Sequence, residues 1–262
     1  MIKISTSFVL FEPLVWGFIA SIPLLIGSTV ASVVSLPKQV IAIIMAFGSG
    51  VLVAALAFSL IEEAFNLSES IVSVIIGFVL GGLSYTLANY ILNKKSSGST
   101  KRRKKSHGEH AGGGKDASGL ALLVGSVMDN IPENMALGIS LVTGGGVNIV
   151  LIAAIFLSNF PEGLSSAQGM RSNGRSKKYI ISLWSVAVVI GTISSVIGFA
   201  FLSNTSPSTI SIAISFAAGA ILVMLAESMI PEAHAEGGSS RTGIATMAGF
   251  AIAFILGRLE GG

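Results

Sequence analysis

Cysteine is absent from this chain of 262 residues, which excludes disulfides and thiolate metal ligands. Charge is scarce as well: only 11% of residues are Asp, Glu, Lys or Arg, where a soluble domain carries about 25%. That shortage, with 52% hydrophobic residues gathered in long runs, excludes an ordinary soluble fold. The small surplus of positive charge, +3, does not argue for nucleic acid, because most basic residues fall in two loops. What remains is an all-α integral membrane protein forming a single transmembrane domain over 1–262.

Hydropathy predicts eight transmembrane helices, at roughly 8–35, 39–61, 70–92, 119–142, 147–170, 179–202, 208–231 and 242–259. The first apolar run is too long for a signal peptide, and Pro13 and Pro23 read as kinks within a first span. An even number of spans puts both termini on one side. The loops between spans 1 and 2, 3 and 4, 5 and 6, and 7 and 8 then hold 14 of the 16 basic residues. The excess of Lys and Arg in cytoplasmic loops therefore predicts a multi-pass protein of the cell membrane, with both termini outside and the 3–4 loop in the cytoplasm. That loop, 94–117, is rich in Gly, Ser and Lys and is expected to be flexible. Its His107-Gly-Glu-His110 is a weak metal-collecting candidate beside the plainer reading of a solvated basic tether.

A second pattern is internal. Segment 47–65, FGSGVLVAALAFSLIEEAF, matches segment 216–234, FAAGAILVMLAESMIPEAH, at Phe47/Phe216, Gly50/Gly219, Leu56/Leu225, Ala57/Ala226, Ser59/Ser228, Ile61/Ile230, Glu63/Glu232 and Ala64/Ala233. Span two runs outward and span seven inward under the predicted topology. Spans 1–3 and 6–8 are therefore expected to be inverted repeats around spans 4 and 5, as in many secondary transporters. Small residues such as Gly48, Gly50 and Gly219 predict close helix contacts.

Spans four and five carry twin polar signatures, Asp129-Asn130-Ile131-Pro132-Glu133-Asn134 and Ser158-Asn159-Phe160-Pro161-Glu162-Gly163, 29 residues apart. Both fall mid-span. An acidic residue there costs about 2.5–3.5 kcal/mol on insertion scales, so it marks a functional site by default. Asp129 and Glu133 share a helix face at i and i+4, as do Ser158 and Glu162; Asn130/Glu133 and Asn159/Glu162 pair at i and i+3. Each proline also frees a carbonyl, that of Met128 or Leu157. Lys and Arg are missing from this level of every span, so the carboxylates need protons or an imported cation. Polar groups that merely glue helices together are the alternative, but three acids without a base make poor glue. Candidate metal ligands are Asp129, Asn130, Glu133, Ser158, Asn159 and Glu162. Glu227 is expected to relay the ion toward Glu232, His234 and Glu236, while Glu62, Glu63 and Glu69 would attract cations at the outer mouth or simply be solvated helix ends.

This constellation resembles the ZIP (Zrt-, Irt-like protein) family of divalent-metal transporters. That family carries His-Asn-x-Pro-Glu-Gly in its fourth span and His-x-x-Pro-Glu-Gly in its fifth. The matches here are Asn130, Pro132 and Glu133, and Pro161, Glu162 and Gly163; the span-seven stretch with Glu227 is also similar. The resemblance implies the family's fold and a metal site between spans four and five. Departures are Asp129 and Ser158 in place of the histidines, Asn134 in place of glycine, and a sixth span with no acid, which speaks against a second adjacent metal. Oxygen ligands favour Mg, Ca or Mn, where imidazole suits Zn, Cu and Ni. The expectation is transport of a divalent cation, zinc or, with a harder site, manganese, iron or a broad range, with no resident cofactor.

The expected partners are that cation and the lipid bilayer, with a homodimer left open and no nucleic acid. A transport-silent, metal-sensing relative is the second reading. An intramembrane hydrolase using Asp129 and Glu133 as acid and base is the third and weakest; the chain is not expected to be an enzyme.

Overall fold

The structure, a computed structural model, describes residues 10–98, 115–143 and 148–260, with the side chains of 92–126 outside the description. Eight long helices account for nearly all of it: α1 (Phe11–Val33), α2 (Lys38–Ser68), α3 (Ile71–Gly98), α4 (Lys115–Ser140), α5 (Ile149–Ser172), α6 (Lys177–Leu202), α7 (Pro207–Gly237) and α8 (Ser239–Glu260). Seven of them are long and apolar enough to cross a bilayer, which makes this an all-α, multi-pass membrane protein. α4 is 26 residues long and holds the polar signature, with Pro132 inside the helix. His107 and His110 lie outside the described residues.

Local chemistry explains where helices begin. The side chains of Asn148, Ser176 and Ser206 cap α5, α6 and α7 by accepting from the amides of Leu151, Tyr179 and Thr209. Pro207 adds its fixed φ at the first helical position of α7. At the far end of α2 the chain turns through Glu69, whose φ of 49° is left-handed. Glu69 is thus the residue at which α2 ends and the chain turns toward α3.

Two helices run longer than hydropathy predicts. α2 and α7 are each 31 residues and continue past the apolar part, so Glu62 and Glu63, and likewise Glu232, His234 and Glu236, sit in continuous helix. Hydropathy marks only the greasy portion, while the hydrogen-bond ladder carries on into polar sequence. Both helices also contain one π-helical turn, Leu56–Leu60 in α2 and Leu225–Met229 in α7. The two turns are separated by the same 169 residues as the sequence match. The expected 94–117 loop is shortened at both ends, since α3 extends to Gly98 and α4 starts at Lys115.

α2 and α7 pack antiparallel in the core. At one end Lys38 pairs with Glu236 at 2.7 Å, and at the other the Ser211 hydroxyl donates to the Ala64 carbonyl at 2.6 Å. α8 packs on α2 and α3 on α7, while α1 packs on α5 and α6, and α4 on α6 and α7. Glycine permits the two outer crossings. A Cβ at Gly50 would strike the Thr246 carbonyl and one at Gly249 that of Phe47; likewise Gly219 lies on Phe78 and Gly81 on Phe216. Only helices without side chains at these points approach so closely.

α3 and α8 turn rows of large apolar residues outward, among them Ile75, Val79 and Leu83, and Ile244, Ile255 and Leu259. In water such faces would associate; against acyl chains they are satisfied. The Arg171 guanidinium donates to the Ala31 carbonyl, Gln168 to that of Leu36 and Arg241 to the Gln39 amide oxygen. Those bonds, with the Lys38–Glu236 pair, collect the 1–2, 5–6 and 7–8 connections and their basic residues at one end of the bundle.

Candidate metal site

α4 and α5 each hold a proline inside the helix, Pro132 and Pro161. Each lacks an amide proton and crowds the carbonyl four residues earlier. Over the Leu157 carbonyl lies Gly48 of α2, where an added Cβ would come within 2.7 Å of it. A glycine is needed at 48 so that α2 can close on this kink.

The two signatures meet at one contact. The Ser158 hydroxyl donates to Glu133 Oε1 at 3.4 Å, and both residues are about 1% exposed. Glu133 Oε2 has no hydrogen-bond partner among the described residues. A buried carboxylate oxygen without a donor is expensive in a low-dielectric interior. Beside it on α5, the Asn159 amide donates to the Ala20 carbonyl of α1 at 2.9 Å. Its Oδ1 is also buried with no partner among the described residues. Glu162, one turn further along α5, is half-buried.

Other candidates turn elsewhere. Asp129 is buried, and its Oδ1 accepts from the Tyr85 hydroxyl of α3 at 2.5 Å. Asn130 faces α1 and α6: its amide donates to the Ala187 carbonyl at 3.0 Å, and its Oδ1 accepts from Ser21 at 3.4 Å and from the Asn134 amide. Ser21 also reaches Asn134 Oδ1 at 3.2 Å. The fit is tight enough that a Cβ at Gly191 would strike both Asn130 and Ser21. Asn130, expected as a metal ligand, is thus occupied in joining three helices. Glu227 is exposed on the π turn of α7, where it accepts from Thr86 at 3.0 Å and Asn89 at 2.7 Å, both on α3. It does not join the α4–α5 pair. Glu232 instead approaches α5, accepting a short hydrogen bond from Ser165.

Asn130 and Glu227 therefore bond to helices other than α5, while Glu133 meets α5 through Ser158. Among the described residues no three His, Asp or Glu side chains gather closely enough to hold a metal ion. What they form is a central Glu133–Ser158 pair with Asn159 beside it, flanked by Asp129 on the α3 side. Oxygen is the donor type throughout, as hard cations prefer.

Sequence reasoning missed Tyr85, Ser21, Thr86 and Asn89. A polar side chain inside an otherwise apolar span was the available signal, but one span shows no partner by itself. Asn134 was noted only as a departure from glycine, whereas it is a hub of the α1–α4 contact. No family model matches the chain, and no curated protein is significantly similar to it.

Proposed function

We propose that this protein moves divalent metal cations across a membrane by alternating access, with Glu133, Ser158, Asn159 and Glu162 as the central ligands and Asp129 joining them when the ion is bound. One observation carries the reading: Glu133 Oε2 and Asn159 Oδ1 are buried acceptor oxygens on two proline-containing helices, both without a partner among the described residues. Lys and Arg are missing at their level, so a cation is the natural neutraliser. The twin signatures extend this toward the ZIP family.

In this reading α4 crosses the bilayer as the eighth span, its polar middle sheltered by α1, α3, α5 and α6. α1–α3 and α6–α8 are inverted repeats. The matching π turns, the antiparallel α2–α7 pair and the reciprocal glycine crossings support that relation. The end that gathers Lys38, Arg171 and Arg241 faces the cytoplasm, following the bias of basic residues. Rocking of one repeat against the other exposes the central oxygens to each side in turn. All-oxygen ligation favours Mn²⁺ or Fe²⁺ over strict zinc selectivity.

Proteoliposomes given external radiolabelled Mn²⁺ or Zn²⁺ test the proposal. Wild-type protein should support saturable uptake, and Glu133→Ala and Glu162→Ala should abolish it. Equal flux through all three proteins sinks the site. A transport-silent metal-binding relative is the second reading, favoured by Asp129 and Ser158 standing where the resemblance leads one to expect histidine; binding without flux would establish it.

A further inference from the structure

The α3–α7 and α2–α8 crossings share a backbone arrangement but not its contents. Gly81 and Gly249, 168 residues apart, sit at matching points, which sets Thr86 level with Phe254 and Tyr85 level with Ala253. The π turns likewise set Glu227 level with Phe58. On α2–α8 the result is an aromatic cluster: Phe58 meets the Phe250 and Phe254 rings edge-on at centroid distances of 5.8 and 5.0 Å. On α3–α7 the same place holds Glu227 bonded to Thr86. Alongside, where α8 has only the methyl of Ala253, α3 carries a phenol whose hydroxyl reaches inward to Asp129. The polar equipment is confined to one crossing and begins at Tyr85.

Tyr85 is 8% exposed and Asp129 7%, so their bond lies in a dry place, where a hydrogen bond is stronger than in water. Asp129 shares a helix face with Glu133 one turn away, and Glu133 keeps an oxygen with no partner. One carboxylate is held sideways by a phenol while its neighbour keeps an oxygen unbonded among the described residues.

Building on the cation reading of this site, we propose that Tyr85 is a positioning residue that occupies Asp129 Oδ1 in the empty state and is displaced when a cation bridges Asp129 and Glu133. The hydroxyl competes with the ion for one oxygen. It thereby weakens binding and speeds release, as a carrier needs, and it couples arrival of the ion to movement of α3.

The test uses the full chain in detergent micelles with Mn²⁺ alone as the probe. Titration of wild type should perturb the tyrosine absorption band; Tyr85→Phe should erase that change, while Tyr90→Phe and Tyr179→Phe keep it. Tyr85→Phe should bind Mn²⁺ about tenfold tighter, the factor that 1.4 kcal/mol makes in a dissociation constant. In proteoliposomes it should show a lower KM together with a lower maximal rate. A merely structural role would not tighten binding. Unchanged or weaker affinity in Tyr85→Phe, with binding lost in Glu133→Ala, overturns this proposal and leaves the cation site standing. Wild-type protein that binds no Mn²⁺ overturns both.

Discussion

Asn130 and Asn159 occupy the same position in the twin signatures, and their surroundings differ. Each donates its amide to a carbonyl of a helix in the opposite half, Ala187 of α6 for Asn130 and Ala20 of α1 for Asn159. Beyond that they part. Asn130 Oδ1 is occupied by Ser21 and Asn134, whereas Asn159 Oδ1 is buried with no partner among the described residues. The cause lies four residues on: α4 has Asn134 there, α5 has Gly163, and a Cβ at 163 would strike the Leu24 carbonyl of α1. One motif has been closed into a structural clasp. The other keeps an oxygen to offer. A repeated motif need not repeat a role, since the neighbour four residues along decides it.

The contrast is open to direct attack. Asn130→Ala removes the donor to the Ala187 carbonyl and the side-chain acceptor shared by Ser21 and the Asn134 amide, and should cost about 3 kcal/mol, the top of the range for lost buried polar partners. Asn159→Ala removes one donor, that to the Ala20 carbonyl, and should cost clearly less. Denaturation in detergent measures both, and equal losses would erase the distinction. Asn134→Gly makes the α4 signature read like that of α5. It should cost roughly 2 kcal/mol, combining a lost bond with glycine in a helix interior, and a free-energy change near zero would show that the clasp does not matter. Asn159→Asp adds charge where the oxygen is open and should tighten Mn²⁺ binding about tenfold, or 1.4 kcal/mol, in a titration. Asn130→Asp should leave the affinity alone and lower stability instead. The smallest effect is expected from Ser158→Ala, which removes the donor to Glu133 Oε1 at about 1 kcal/mol; thermal unfolding resolves it.

Much of the architecture could be read from residues. Long apolar runs located the helices, Asn130/Pro132/Glu133 and Asn159/Pro161/Glu162 marked the polar stretches of α4 and α5, and the 47–65/216–234 match covers the two segments in which the π turns fall. Helix ends were less legible, because Glu62, Glu63 and Glu232 to Glu236 look like loop by hydropathy yet extend the ladder. Rotation about the helix axis was the main loss. Spacing put Asp129 and Glu133 on one face, as i and i+4 must be, but did not say that Tyr85 would draw Asp129 toward α3. Nor did it show that Ser21 and Asn134 would claim Asn130. Those outcomes depend on which helices become neighbours, and that information is spread over 100 residues or more of chain between Ser21 and Asn130.

The π turns in α2 and α7 carry a consequence for the molecule's history and its engineering. Such a turn is an α-helix with one surplus residue, so trimming a single residue from 225–229 should restore regular winding. Winding the same residues as regular α-helix without that deletion would instead swing everything downstream by about 100° around the axis, since each residue subtends that angle. Glu232 would leave Ser165, and Glu236 would leave Lys38, although no side chain had been changed. The surplus residue works as a phase-setter: it lets one helix aim its first half at the bundle interior and its second half at a different neighbour.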